Sequence, residues 1–371
     1  MSKIDVFDDH DDPDRDDYEE GDEVVAWIAP QFNRSAVDKA GKLIIDKSCN
    51  GDERTQAELV VNNWRSSHSF PLNTIQNGLR KRAQGIDKKA LVAQRIKRLE
   101  SIQQKLVRFP TTRLSQLQDL GGCRAIVDNA KFVDDMVSSY RTTKAQHELV
   151  RLDDYMSMPQ KSGYRGVHMI YKYSSAQSSV YNGLRIEIQI RSTEQHAWAT
   201  AVETAGTFLR QGLKSNEGEA AWLRFFAVMS SAIALREGRS VVPGTPTESR
   251  ELIEEVKKLE KQIDVRRKLR AFGATIKMIE QDKLPDAKYY LLELNPAQDI
   301  VRITGFLSRQ LDAATRLYMA AEKAANANAS TGAAAVLVSA GSVANLRRAY
   351  PNYFLDTDLF LSMLSSVVEA S

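Results

Sequence analysis

The first apolar run of the chain is Val24-Val25-Ala26-Trp27-Ile28-Ala29, which follows a segment, 5–23, dominated by Asp and Glu. Beyond it, apolar residues recur at helical spacing over 34–48, 53–67 and 71–84, and the pattern predicts three helices. A fourth is predicted over about 88–107, with lysine and arginine along one face. Gly122-Cys123-Arg124-Ala125-Ile126-Val127 reads as a buried strand and 130–142 as a helix. Strands follow near 146–152, 166–173 and 183–191, where β-branched and aromatic residues alternate with polar ones. Two helices come next, 192–211 with Trp198 and 217–237 with Trp222, Phe225 and Phe226 as core residues.

Pro243-Gly244-Thr245-Pro246 breaks this pattern most clearly. The stretch 247–281 reads as one long charged helix, a connector laced with opposite charges at i, i+4 spacing. Strands 288–294 and 299–305, helix 308–326, strand 334–339 and helices 342–349 and 356–369 close the chain. The expected class is α+β: a mixed β-sheet flanked by helices, then a small α/β domain. The expected boundaries are an acidic tail over 1–23, a first domain over 24–240, a connector over 247–282 and a second domain over 283–371.

Composition narrows the picture. A chain of 371 residues suits roughly two domains of about 150 residues. The net charge of +3 hides an asymmetry, because the tail holds much of the acid and leaves the rest basic. The tail reads as disordered solvated chain, or as a nucleic-acid mimic that shields a basic groove. Cys49 and Cys123 lie far apart without CxxC spacing, which fits a reducing cytoplasm and excludes a cysteine zinc site. No apolar run approaches the ~20 residues of a membrane span, and Met1-Ser2-Lys3-Ile4-Asp5 lacks the apolar core of a secretory signal. The expectation is a cytoplasmic protein without a membrane partner.

Four clusters carry candidate chemistry. Glu187 stands in Arg185-Ile186-Glu187-Ile188-Gln189-Ile190. A carboxylate there is expensive to bury unless it holds a metal or takes a proton, although the alternation also allows a wet strand face. In the segment from Arg95 to Lys105, Lys97 and Ser101 share a helical face, as do Ser101 and Lys105. Two cations around a hydroxyl suit a polyphosphate, and Arg95 can stack on a base; a solvated basic face is the plainer reading. Asp119 precedes the strand that contains Arg124, a place for a Mg²⁺ ligand or simply a turn aspartate. Gly163-Tyr164-Arg165 ends a loop that either presents Tyr164 as a stacking platform or packs it. His168 and His196 lack metal-ligand spacing.

Together these clusters resemble the alarmone synthetase domain of the RelA/SpoT family, over about 70–210. The shared elements are R-x-K-x-x-x-S-I-x-x-K, D-L-x-x-x-R, D-Y-x-x-x-P, G-Y-R-x-x-H and E-I-Q-I-R. The resemblance implies a nucleotidyltransferase-like domain that moves the β,γ-pyrophosphate of ATP onto a ribose 3′-hydroxyl. It implies ATP contacts at Arg95, Lys97, Ser101, Lys105 and Arg124, Mg²⁺ and acid–base roles for Asp119 and Glu187, and acceptor contacts at Gly163, Tyr164 and His168. The loop Pro159-Gln160-Lys161-Ser162-Gly163-Tyr164 departs from the family's P-K-x-N-G-Y, which puts a guanosine acceptor in question. The His-Asp constellation of the family's hydrolase half does not precede this region.

The C-terminal part resembles the CapRel branch of fused toxin–antitoxin synthetases: a zinc-less finger-like domain followed by Tyr350 and Tyr353 in a Y-x-x-Y motif. That likeness implies no zinc, and autoinhibition by the two tyrosines until a phage protein binds. It also implies a toxin that pyrophosphorylates the 3′-CCA end of tRNA, and deletion beyond about residue 275 is expected to unleash it. Arg80, Lys81, Arg82, Lys88 and Lys89 supply a basic stretch for tRNA phosphates, or a solvated helix. The alternatives are an alarmone synthetase acting on guanosine or adenosine nucleotides, and a binding module without catalysis.

Overall fold

The computed structural model describes residues 27–142, 146–209, 213, 218–273, 277–281, 286–295, 298, 300–327, 333–339, 343–351, 354 and 357–369. The acidic tail lies outside the described residues. Helices α1 (Arg34–Leu43), α2 (Gly51–Ser66) and α3 (Ser69–Ile86) come first. Asn33 and Asn50 start the first two by accepting hydrogen bonds from the Ala36 and Glu53 amides. Strand β1 (Leu91–Ile96), α4 (Leu99–Arg108), β2 (Gly121–Val127), α5 (Ala130–Thr142), β3 (Glu148–Asp154), β4 (Val167–Lys172) and β5 (Arg185–Ser192) follow. Then come α6 (Thr193–Leu209), α7 (Ala220–Arg236), α8 (Ser249–Ile263) and α9 (Val265–Gly273). The last part holds β6 (Lys277–Gln281), β7 (Tyr289–Asn295), β8 (Ile300–Phe306), α10 (Leu311–Ala327), β9 (Ala334–Ser339), α11 (Val343–Ala349) and α12 (Asp358–Glu369).

The fold is α+β: one mixed nine-stranded sheet, ordered β3-β4-β5-β2-β1-β9-β7-β8-β6, with helices against it. Strands β2 and β5 run parallel, and β1 pairs antiparallel with β2 from Leu91↔Ile126 to Ile96↔Gly121. On its other side β1 takes β9 through Gln94↔Ser339 and Arg95↔Val338. The C-terminal strands thus extend the first sheet, and Ala93 of β1 packs into the same apolar cluster as Leu292, Val336 and Leu346. Among the described residues no helix is long and apolar enough to cross a membrane.

Two expected helices differ. Residues 88–107 are strand β1 and then α4, joined by a turn in which the Lys97 amide donates to the Leu120 carbonyl at 2.8 Å. Leu91-Val92-Ala93-Gln94-Arg95-Ile96 has backbone partners on both sides, and ladder pairing overrides the helical spacing of its basic residues. Lys97 and Ser101 therefore do not share a helical face. Residues 247–281 are not one connector helix either. Asp264 takes a left-handed conformation (φ 54°) that separates α8 from α9, and 277–281 pairs parallel with β8. Helix α8 buries Leu252, Val256, Leu259 and Ile263 in the cluster of Trp222, Phe225 and Phe226.

Helix α12 returns to that same cluster with Phe360, Leu361, Met363, Leu364 and Val367. Deleting the chain beyond about 275 therefore uncovers the core of the first part, at roughly 1.5–3 kcal/mol for each large side chain.

Arg65 on α2 reaches Glu322 on α10 with contacts of 3.0 and 3.2 Å, and both residues are buried. Tyr318 donates its hydroxyl hydrogen to Glu322 at 2.8 Å, and the Leu99 amide donates to the same carboxylate at 2.6 Å. Breaking such a pair strands a buried charge. Arg65→Met is expected to lower stability by about 3–5 kcal/mol in urea unfolding, and Arg65→Met with Glu322→Leu to recover part of that loss. A loss below ~1 kcal/mol, the range of an exposed pair, would contradict this role.

Candidate active site

The strand register assembles the cleft. Arg95 of β1 lies opposite Gly122 of β2, and Gly122 lies opposite Glu187 of β5. His168 of β4 lies opposite Gln189 of β5, and alternation puts Glu187, Gln189 and Arg191 on one face. Lys97 and Asp119 follow β1 and precede β2. The cleft so formed, about 830 Å³, is lined by Arg95, Lys97, Asp119, Arg124, His168 and Glu187 among others.

Asp119 is the electrostatic centre of one side. Its Oδ2 accepts from Lys97 Nζ at 3.0 Å and from Lys105 Nζ at 2.9 Å. Burial alone would raise its pKa, but the two ammonium groups hold the carboxyl down at about 2. Its Oδ1 is buried without a hydrogen-bond partner among the described residues, which leaves a lone pair for a ligand in the cleft. Ser101 sits partly buried on α4 and is not among the residues that line the cleft. The two lysines expected to flank this hydroxyl meet at Asp119 instead, because Lys97 precedes the helix.

Glu187 is held from two sides. His168 Nδ1 is 2.9 Å from Oε1, and Gln189 Nε2 donates to Oε2 at 2.7 Å. Burial pushes the Glu187 pKa up, yet its bonds to His168 and Gln189 win and the net shift is downward. Burial likewise opposes protonation of His168, but Tyr164 and Glu187 outweigh it and raise the pKa to about 9. Arg124 donates to Gln189 Oε1 at 3.3 Å; burial, with Arg191 and Arg95 nearby, lowers its pKa to about 10. The cleft is thus rich in cations that a polyphosphate would neutralise.

Tyr164 does not form an open platform. It is only 6 % exposed. Its hydroxyl lies 2.5 Å from His168 Nε2 and accepts from Arg191 Nη2 at 2.8 Å, while the Arg191 guanidinium covers its ring at 4.9 Å. Gly163 explains the tight packing: its φ is +93°, and a Cβ there would meet the Trp198 ring at 2.9 Å. Tyr164, His168 and Glu187 form a hydrogen-bonded line that runs from Tyr164, behind the cleft, to the other two at its wall. Sequence reasoning gave no role to Gln189 or Arg191, although their i+2 and i+4 spacing from Glu187 was visible.

Tyr350 enters the cleft from the C-terminal part. It is 4 % exposed, lines the cleft beside Arg124, and donates its hydroxyl hydrogen to the Gln94 carbonyl at 2.8 Å. Tyr353 lies outside the described residues. The basic stretch is elsewhere: Lys81, Lys88 and Lys89 are exposed at the end of α3 and the turn to β1, and Arg82 covers the Tyr140 ring at 4.8 Å. Arg80 lines a different cleft.

Among the described residues no group of three or more His, Cys, Asp or Glu side chains is placed to hold a metal. A Mg²⁺ ion needs fewer, since one or two carboxylates and substrate phosphates complete its octahedral shell. Asp119, with its unpartnered oxygen, and Glu187 fit that demand.

Residues 94–208 match the family model described as the region found in RelA / SpoT proteins. The chain is 28% identical over 171 residues to GTP pyrophosphokinase YjbM of Bacillus subtilis (strain 168), covering 45% of this chain and 78% of that protein. It is 31% identical over 114 residues to GTP pyrophosphokinase YwaC of the same organism, covering 29% of this chain and 52% of that protein. Among solved structures, small alarmone synthetase 2 from Bacillus subtilis aligns with a TM-score of 0.38 and 19% identity, over 56% of this chain and 97% of that one. The chain carries a RelA/SpoT-type synthetase domain and is a pyrophosphotransferase; such synthetases use ATP and Mg²⁺.

Two outcomes follow from the geometry. Asp119→Asn and Glu187→Gln should each cut pyrophosphate transfer from labelled ATP about 10²–10⁴-fold, and transfer within threefold of wild type would remove that carboxylate from the chemistry. Because the His168 pKa is raised from 6.5 to about 9, its contribution to stability is complete below pH 6.5 and is lost as pH rises through 9. The melting temperature of wild type should exceed that of His168→Gln at pH 6.5, with the gap closing by pH 9.5.

Proposed function

We propose that this chain is a self-inhibited, ATP-dependent pyrophosphokinase whose acceptor is the 3′-terminal ribose of tRNA, and that a phage protein binding its C-terminal part switches it on to stop translation. One observation carries the inhibitory half of this reading. Tyr350, donated by the C-terminal part, lies in the same cleft as Asp119 and Glu187 and is buried there. A nucleotide entering beside Arg95 and Arg124 would have to displace it.

In the proposed reaction the ribose 3′-oxygen attacks the β-phosphorus of ATP. The bond from that phosphorus to the α–β bridging oxygen breaks, AMP leaves with the electron pair, and the hydroxyl proton passes to Glu187. His168 and Gln189 keep Glu187 oriented. Lys97, Lys105, Arg95 and Arg124 bind the triphosphate, and the lysines exchange Asp119 for phosphate oxygens as ATP enters. Asp119 and Glu187 would hold Mg²⁺, which would supply positive charge to offset that of the transferred group. Positioning and electrostatics thus supply most of the rate, as in phosphoryl transfer generally.

Three features support an acceptor larger than a free guanosine nucleotide. Tyr164 offers no open ring to a base, and Ser162 stands where the related loop has Asn. Exposed Lys81, Lys88 and Lys89 give tRNA phosphates a place to rest. The names of the relatives favour the second reading, an alarmone synthetase acting on guanosine nucleotides. The phage protein acts by population shift, holding the C-terminal part in an arrangement that withdraws Tyr350.

Labelled ATP offered with tRNA, GDP, GTP and ADP separates these acceptors. Tyr350→Ala is expected to raise transfer at least tenfold and to place label on tRNA. Label on GDP or GTP alone assigns the second reading, and unchanged transfer by Tyr350→Ala rejects inhibition through this side chain.

A further inference from the structure

A second cleft, about 1070 Å³, lies between α3 and the C-terminal strands. On α3, Asn73, Gln76, Arg80 and Gln84 face it at spacings of three and four, a polar stripe on a helix whose Leu72, Ile75, Leu79 and Ala83 are core. Lys288 and Ser308 face it from the other wall. None of its described lining residues is acidic.

Two groups in this cleft have donors that the described residues leave unmatched. Gln76 is 1 % exposed, and its Nε2 has no hydrogen-bond partner among the described residues. A buried amide hydrogen without an acceptor is rare and costly in a folded protein. Arg80, one turn further along α3, is half-buried, and the one side-chain hydrogen bond recorded for it among the described residues is to Asn77 Oδ1 at 3.3 Å. Burial pulls its pKa below the usual arginine range, and no carboxylate offsets this. An acceptor-rich anion would satisfy both groups at once.

We propose that this cleft is a second ligand site that takes a small phosphorylated molecule of nucleotide size. Its phosphate accepts from Gln76 Nε2 and the Arg80 guanidinium, and Lys288 adds charge from the opposite wall. The half-buried Tyr289 ring lines the remaining space, where a base can lie. Ala349 is the one described residue that lines both this cleft and the catalytic one. It ends α11 and directly precedes Tyr350. A ligand here touches both α3 and the C-terminal part, so it stabilises the arrangement in which Tyr350 fills the catalytic cleft. That consequence rests on the inhibitory role proposed above, whereas the site itself does not.

The test uses the full-length chain with Lys97→Ala and Lys105→Ala, which removes the phosphate-binding lysines of the catalytic cleft, and GDP as the probe in titration calorimetry. Binding is expected to persist in this background and to weaken at least tenfold on adding Arg80→Met. Adding Gln76→Leu should weaken binding as well while raising the melting temperature, since a buried unmatched donor is removed. That rise distinguishes a lost ligand contact from a damaged fold. Absence of GDP binding in the double-lysine background, or binding indifferent to Arg80→Met and Gln76→Leu, overturns the proposal. So does Arg80-dependent binding of tRNA without binding of GDP, which would place α3 against an RNA backbone. None of these outcomes bears on whether wild type transfers pyrophosphate, so the site and the enzymatic reading stand or fall separately.

Discussion

The buried pair of Arg65 and Glu322 ties the two parts of this chain together at the point where the chemistry is organised. Glu322 comes from α10, 257 residues beyond Arg65. Arg65 also donates to the Lys97 carbonyl at 3.0 Å, while Glu322 accepts from the Leu99 amide. The pair therefore grips the turn between β1 and α4 from both ends. That turn aims Lys97 at Asp119 and starts the helix that brings Lys105 to the same carboxylate. Two desolvated charges are costly, and this pair is acceptable because hydrogen bonds from Tyr318 and the Leu99 amide complete the carboxylate's shell. A carboxylate at a helix N-terminus is also favoured by the helix dipole.

The same C-terminal part meets the catalytic cleft a second time. Strand β9 extends the sheet at β1, and Tyr350, after α11, reaches the carbonyl of Gln94 within that strand. On the proposed reading, a tethered element acts at high effective concentration, so a short ladder and one buried ring would be enough to hold the cleft closed. Helix α12 then returns to the aromatic cluster of Trp222 and Phe226 and fixes the far end of the C-terminal part there.

Much of this was legible in the sequence, and the misses have physical causes. The helices and strands between 121 and 236 stand within a few residues of where periodicity puts them. The stretch 88–107 misleads because its basic residues have helical spacing while β1 is held by strands on both sides, one of them more than 200 residues away. The break at Asp264 has no glycine or proline to mark it. In the cleft, Asp119, Glu187, Lys97, Lys105, Arg124 and His168 converge as their motifs suggest. Ser101 and Tyr164 do not, since the first belongs to a helix that begins after Lys97 and the second is covered by Arg191. Glu322 was invisible: an acid in an alanine-rich helix looks solvated until its distant arginine is known.

On the proposed reading, ATP and the closed C-terminal part exclude one another. Amide hydrogen exchange tests it most directly, on the full-length protein with and without a saturating nonhydrolysable ATP analogue. If the claim holds, the analogue accelerates exchange across β9, residues 334–339, and at Gln94 and Arg95, because the ladder must open for the nucleotide to enter. Exchange in these segments that stays unchanged or slows with the analogue bound would contradict it.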